Sequence, residues 1–252
     1  MAMGDAELDA ESFFAKWLDA WPALRLARLF ASPGEWPRLR GRVGALFEIA
    51  EASWVLRDEG VRVHKLQWWR EELQQHAAGA ARHPLLVAAG AASCSPLLAA
   101  HALDQVQQPA PADATQALGH IRLLAAAASD ASVDVACAQA LLAGMHLLAL
   151  DDALPGAFAL APLDLRARHA LAGAERGAAL RALVASLARA WQGELANHRD
   201  ALPRSRWHGA RGMRVLHQQA LALIAALADG HAAPPLGWRS AFSAWRAVAG
   251  LR

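Results

Sequence analysis

The stretch His64–Leu73, reading His-Lys-Leu-Gln-Trp-Trp-Arg-Glu-Glu-Leu, restricts the fold more than any other part of the chain. Val63, Leu66, Trp69 and Leu73 recur at a spacing that forms one apolar stripe at 3.6 residues per turn. Lys65, Arg70, Glu71 and Glu72 fall mostly off that stripe. Neighbouring side chains on a helix diverge by about 100°, so Trp68 and Trp69 face different partners. Trp69 shares the stripe and is predicted to be core. Trp68 is predicted to line a cavity or a helix–helix seam, its indole N–H meeting a polar group.

The rest of the chain reads as helix too. Alanine and leucine dominate, β-branched residues are sparse and tyrosine is absent, a composition that favours helix. With 55% hydrophobic and 19% charged residues, the 252-residue chain can bury a core and does not read as disordered. Helices are predicted over Leu8–Ala20, from Pro22 to the break at Ser32-Pro33-Gly34, and over Trp36–Arg57. The Trp-Trp helix follows a break at Asp58-Glu59-Gly60 and ends near Gly79. Further helices fit Leu85–Ala92, Pro96–Gln105, Asp113 or Thr115 to Ala128, and Ser132–Asp151. After a loop with Pro162 come Ala174–His198, Ser205–Asp229 and Trp238–Val248. No repeat or low-complexity linker divides residues 1–252, so one domain is expected.

Composition also excludes functions. A net charge of +2 argues against a nucleic-acid surface. Cys94 and Cys137 have neither metal-site nor disulfide-framework spacing, which points to a reducing cytoplasm. Met1–Glu11 is acidic and polar, unlike a signal peptide. The longest apolar run, Val135–Leu150, is interrupted by Gln139 and His146 and is shorter than the ~20 residues of a bilayer span. It is expected to be a buried central helix, with His146 a hydrogen-bonded core residue. A cytoplasmic protein is expected, with peripheral membrane contact left open. His64, His120 and His146 lie on different helices without zinc spacing. Gly-x-Ser-x-Gly, P-loop and dinucleotide fingerprints are absent.

Lys65-Leu66-x-Trp68-Trp69-Arg70-x-x-Leu73, preceded by Ala45-Leu46-Phe47 and followed by His83-Pro84-Leu85, resembles the squalene/phytoene synthase family. These are the head-to-head isoprenyl diphosphate synthases and their non-catalytic relatives. The motifs span roughly the first third of the chain; beyond them the resemblance is one of helical layout. It implies an all-α, single-domain bundle of the isoprenoid synthase type, built around a central apolar cavity or its collapsed remnant.

An active member of that family needs two aspartate-rich motifs on facing helices. Carboxylates at i and i+4 lie ~6 Å apart on one face, and facing pairs hold Mg²⁺ ions against the diphosphates. By the resemblance, the first motif's acidic positions fall approximately at Trp54 and Asp58, so only Asp58 survives, with Glu51 and Glu59 as stand-ins. Glu51 and Asp58 are about 10 Å apart along a helix, too far to share one ion. Glu48, Glu51 and Asp58 are read instead as a solvated charged stripe. The second motif falls near Asp151-Asp152, whose side chains diverge and whose i+4 neighbours are Pro155 and Gly156. They are expected to cap the loop or pair with an arginine such as Arg166.

The candidate cavity or ligand residues are therefore Glu51, Trp54, Asp58, His64, Lys65, Trp68, Arg70 and His146. Asp58, Asp151 and Asp152 are the weak metal candidates. Arg62, Lys65 and Arg70 could meet a diphosphate. The expected function is that of a divergent member lacking Mg²⁺-dependent condensation, which binds an isoprenoid or lipid ligand or a protein partner in assembly support. No cofactor is required; Mg²⁺ enters only with the alternative, an active prenyltransferase joining two allylic diphosphates. A second alternative is a helical interaction protein with no ligand.

Overall fold

The structure, a computed structural model, describes residues 2–89, 95–128, 132–169, 176–201, 210–232 and 238–249. Among the described residues there are helices and turns and no strand, so the chain is all-α as its composition predicts. One hydrophobic cluster runs from Phe14 to Ala244.

The apolar run becomes α8 (Ser132–Asp151), the central helix. It packs against α3 (Trp36–Ala50), α7 (Ala114–Ala128), α10 (Arg176–Ala201) and α11 (Arg211–Ala228). By length and composition Asp134–Asp151 could cross a bilayer, but 72% of that window is buried inside the protein. Gly144 lets the neighbours in: a Cβ there would lie 3.2 Å from both Trp21 and Leu223. Trp21 sits between α1 (Ala2–Ala20) and α2 (Ala23–Phe30). Glu35, just before α3, accepts from the Gly212 and Met213 amides at 2.9 and 3.3 Å. It thereby caps the start of α11 from far away in sequence.

The predicted helix Trp36–Arg57 does not run through. α3 ends at Ala50 and the chain widens into a π-turn, Glu51–Val55, closed by Leu56 N–H on the Glu51 carbonyl at 3.2 Å. Two contacts accompany the widening. The Ser53 hydroxyl donates to the Ile49 carbonyl at 2.8 Å, a side-chain bond that competes with the helical ladder. A 3₁₀ turn, Pro155–Leu160, also presses against it: a Cβ on Gly156 would lie 2.7 and 2.9 Å from the Trp54 and Ser53 carbonyl oxygens.

α4 (Glu59–Ala77) starts directly after its capping residue Asp58, so the break predicted at Asp58-Glu59-Gly60 lies two residues earlier, at Leu56-Arg57-Asp58. Gly79, at φ 76°, closes the helix through a bond from Ala80 N–H to the Gln75 carbonyl. α5 (Pro84–Ala89) and α6 (Leu97–Gln107) follow. Cys94, Ala174 and Ser205 lie outside the described residues. Between α8 and α10 the predicted loop contains the 3₁₀ turn and a short helix, α9 (Leu163–Arg168); α12 (Trp238–Ala249) ends the described fold.

Candidate functional site

The chain has only two lysines, Lys16 and Lys65, and both point at the same carboxylates. Lys16, from α1, lies 2.5 Å from Glu48 and 3.3 Å from Glu51. Lys65, from α4, lies 3.2 Å from Glu48 and 2.7 Å from Glu51. The Trp17 indole N–H donates to Glu48 at 3.0 Å, and the Lys16 ammonium sits 4.6 Å from the Trp17 ring centroid. Burial by itself would raise the Glu48 carboxyl; the Lys16 hydrogen bond and the Lys65 charge outweigh it and hold Glu48 below its ordinary range. Burial would likewise lower Lys65, but Glu51 and Glu48 raise it. The result is a four-membered network of net charge zero.

This corrects the solvated-stripe reading. Glu48 is buried and Glu51 half-buried, because α1 and α4 close over that face of α3. Asp58 is exposed, as expected, but one of its oxygens accepts from Val61 N–H at 2.8 Å and caps α4. Trp54 is a core residue, its ring 5.3 Å from the His146 ring. His64 is exposed, and Arg70 is half-buried. Of the candidates, the fold brings together Glu51 with Lys65 and Trp54 with His146, and leaves the others apart.

Next to the network lies an aromatic group. Trp69 is buried on the stripe that predicted it, while Trp68 is 39% exposed. The two indoles meet edge to face at 5.2 Å. Both contact His83, at 4.8 Å for Trp69 and 5.8 Å for Trp68, and Phe13 of α1 reaches the same imidazole at 4.9 Å. Trp68 thus covers a seam between α4 and the α4–α5 turn. Among the described residues its indole N–H has no hydrogen-bond partner, contrary to expectation. Beneath that turn, Glu72 is fully buried and accepts from the Arg82 and His83 amides, each at 2.6 Å. Burial would raise its carboxyl, and these amides with the Arg82 charge lower it instead.

Glu48, Lys16, Trp17, Glu72 and His83 are the members that sequence reasoning missed as a group. The available signal was rarity, two lysines in an arginine-rich chain.

His146 is fully buried, with Nε2 2.9 Å from the Ala157 carbonyl oxygen. Burial lowers its pKa to about 4, so it is neutral at physiological pH and Nε2 carries the proton. Trp54 and Trp191 flank it at 5.3 and 5.7 Å. Arg62 is buried beside the π-turn, its Nη1 2.7 Å from where a Gly156 Cβ would stand, and among the described residues its Nε and Nη1 have no hydrogen-bond partner.

At the end of α8, Asp151 and Asp152 are exposed. Partial burial and then the Asp152 charge raise the Asp151 carboxyl, and Arg181, rather than the predicted Arg166, partly offsets them. The helix closes through Ala153 at φ 56°, with Leu154 N–H on the Ala149 carbonyl at 3.0 Å. Among the described residues no group of three or more His, Cys, Asp and Glu side chains could hold a metal ion. No protein-family model, curated protein or solved structure matches the chain.

Proposed function

We propose that the chain is a divergent protein of the squalene/phytoene synthase type that does not condense prenyl diphosphates and works by binding. Its ligand is an isoprenoid or other lipid, or a protein whose assembly it supports. The resemblance in the first third supplies the family. The observation that carries the loss of chemistry is the ion-pair network: Glu48 and Glu51, the acidic residues of the helix that would carry the first metal motif, are both occupied by Lys16 and Lys65. A Mg²⁺ ion would have to displace two ammonium groups from partly buried carboxylates, and among the described residues no group of three or more His, Cys, Asp and Glu side chains is there to complete its shell. Mg²⁺ belongs only to the alternative of an active prenyltransferase.

The test is incubation of purified protein with labelled farnesyl or geranylgeranyl diphosphate and Mg²⁺, followed by hydrocarbon extraction. No product above background is expected. Turnover that is lost in Asp58→Ala would restore the active-synthase reading.

A second reading, a helical interaction protein with no ligand, is favoured by the Trp54, His146 and Trp191 rings, which meet edge-on and tilted and occupy the interior with side chains. Organic extraction of the purified protein and mass spectrometry separates the two. A co-purifying prenyl lipid supports the first, and a clean extract with a captured, identified protein partner supports the second.

A further inference from the structure

α5 is entered through a histidine. The His83 carbonyl accepts from Leu86 and Val87 N–H at 3.0 and 3.1 Å, which makes His83 the N-cap and Pro84 the first helical residue. Its ring does what a serine or aspartate does at this position: Nδ1 accepts from Leu85 N–H at 3.2 Å. An imidazole accepts at Nδ1 only while that nitrogen carries no proton. In this geometry His83 is therefore neutral, with its hydrogen on Nε2.

The short helix depends on that cap. With six residues it has little internal ladder, and its hold on the protein is Leu85 and Leu86, both fully buried. Leu85 fits against α3 where Gly44 leaves room; a Cβ on Gly44 would lie 2.9 Å from the Leu85 Cδ1. The imidazole is meanwhile wedged among Phe13, Trp68 and Trp69.

We propose that His83 is an acid-sensitive latch: neutral, it caps α5 and holds it on α1 and α3; protonated, it releases the first turn of α5. Protonation turns Nδ1 into a donor facing another donor, Leu85 N–H, and sets a cation against the positive end of a helix. The charged groups facing His83 are Lys16 from α1, Glu48 from α3, and Lys65 and Glu72 from α4. Burial lowers its pKa; Glu48 and Glu72 oppose that shift, and Lys16 and Lys65 add to it. A histidine with a lowered folded pKa contributes stability that is complete above its ordinary value of ~6.5. That contribution declines as the pH falls from there through the folded value. The latch is thus closed at neutral pH and opens in acid, and it holds whichever ligand or partner the protein serves.

Hydrogen exchange read by mass spectrometry over residues 82–89, from pH 8 to pH 5 and corrected for intrinsic rates, tests it. In the unmodified protein, protection of the Leu85, Leu86 and Val87 amides is expected to fall in acid by up to about tenfold per pH unit. In His83→Asn, whose side-chain oxygen caps without titrating, protection should not depend on pH. Unchanged protection in the unmodified protein, or the same acid loss in His83→Asn, overturns the proposal. Should His83→Asn fail to fold, NMR of the unmodified protein decides: the Leu85 amide must shift with the His83 ring titration, and a Leu85 amide that ignores it overturns the latch.

Discussion

Glu48 and Glu51 meet two lysines brought by two other helices, under the Trp17 indole, whereas Asp151 and Asp152 meet mostly water at the end of α8. In the first region opposite charges are interleaved and partly shielded, and Glu48 is held ionised below its ordinary range. In the second, like charges are adjacent at the negative end of a helix, and Asp151 is pushed up. Both regions contain two carboxylates close in sequence, and their surroundings differ in kind. The first is already neutralised. The second has Pro155 and Gly156 where i+4 ligands would stand.

If the first region is a structural unit, its foundation should be the largest effect. Trp69→Ala, emptying a core indole that supports Trp68 and His83, is expected to cost about 3–5 kcal/mol. Trp68→Ala, at a half-exposed ring, should cost clearly less. Urea denaturation of the two variants checks this. A larger loss for Trp68→Ala would place the weight-bearing face of α4 on its outer side.

The next effect concerns the charges themselves. Glu48→Gln leaves Lys16 and Lys65 to share Glu51 and is expected to cost about 1–2 kcal/mol, the partly exposed Lys16 keeping it low. The sign with pH follows from the lowered carboxyl. Its contribution is present above the ordinary glutamate range and lost as pH falls through the folded value. The difference between wild type and Glu48→Gln should therefore shrink in acid, as read by denaturant midpoints from pH 7 to pH 3. A constant difference would mean that Glu48 acts by packing and not by charge.

These two regions also show what a sequence does and does not carry. The Trp69 stripe, the Gly79 helix stop and the apolar α8 with a hydrogen-bonded His146 are set by neighbours within a few turns, and all were legible. Glu48 was misread because its partner Lys16 is on another helix, and nothing local marks a carboxylate that a distant helix will cover. The π-turn escaped for the same reason. The residues Glu51–Val55 continue a helical pattern, and it is the approach of Gly156, a hundred residues later, that accompanies the widening. His83-Pro84 was legible as a motif and not as a cap, since the cap is defined by which ring nitrogen meets Leu85.

In the second region the strained residue is backbone rather than charge. Ala153 ends α8 in the left-handed region at φ 56°, a conformation that an alanine side chain disfavours and glycine accepts. Ala153→Gly is expected to stabilise the protein by about 0.5–1 kcal/mol, measured as a raised denaturant midpoint. A loss of stability would show that the turn after α8 is held by something other than its backbone.

The smallest effect is the one that separates the two acidic regions most sharply. Asp151→Asn with Asp152→Asn removes two like charges from the end of α8 and is expected to stabilise by no more than about 0.5 kcal/mol at neutral pH. The direction follows from Asp151. A carboxyl raised in the folded state binds its proton more tightly there, so ionising it costs stability as pH rises through the folded value. The double variant should therefore lose its advantage in acid, the reverse of the convergence expected for Glu48→Gln, where it is the wild type that loses its lead. Mg²⁺ provides the discriminating condition. Added to the wild-type protein it should leave the melting temperature unchanged, since neither carboxylate has an i+4 partner. A metal-dependent rise of several degrees, abolished in the double variant, would make the end of α8 a cation site and return the active-synthase reading to the front.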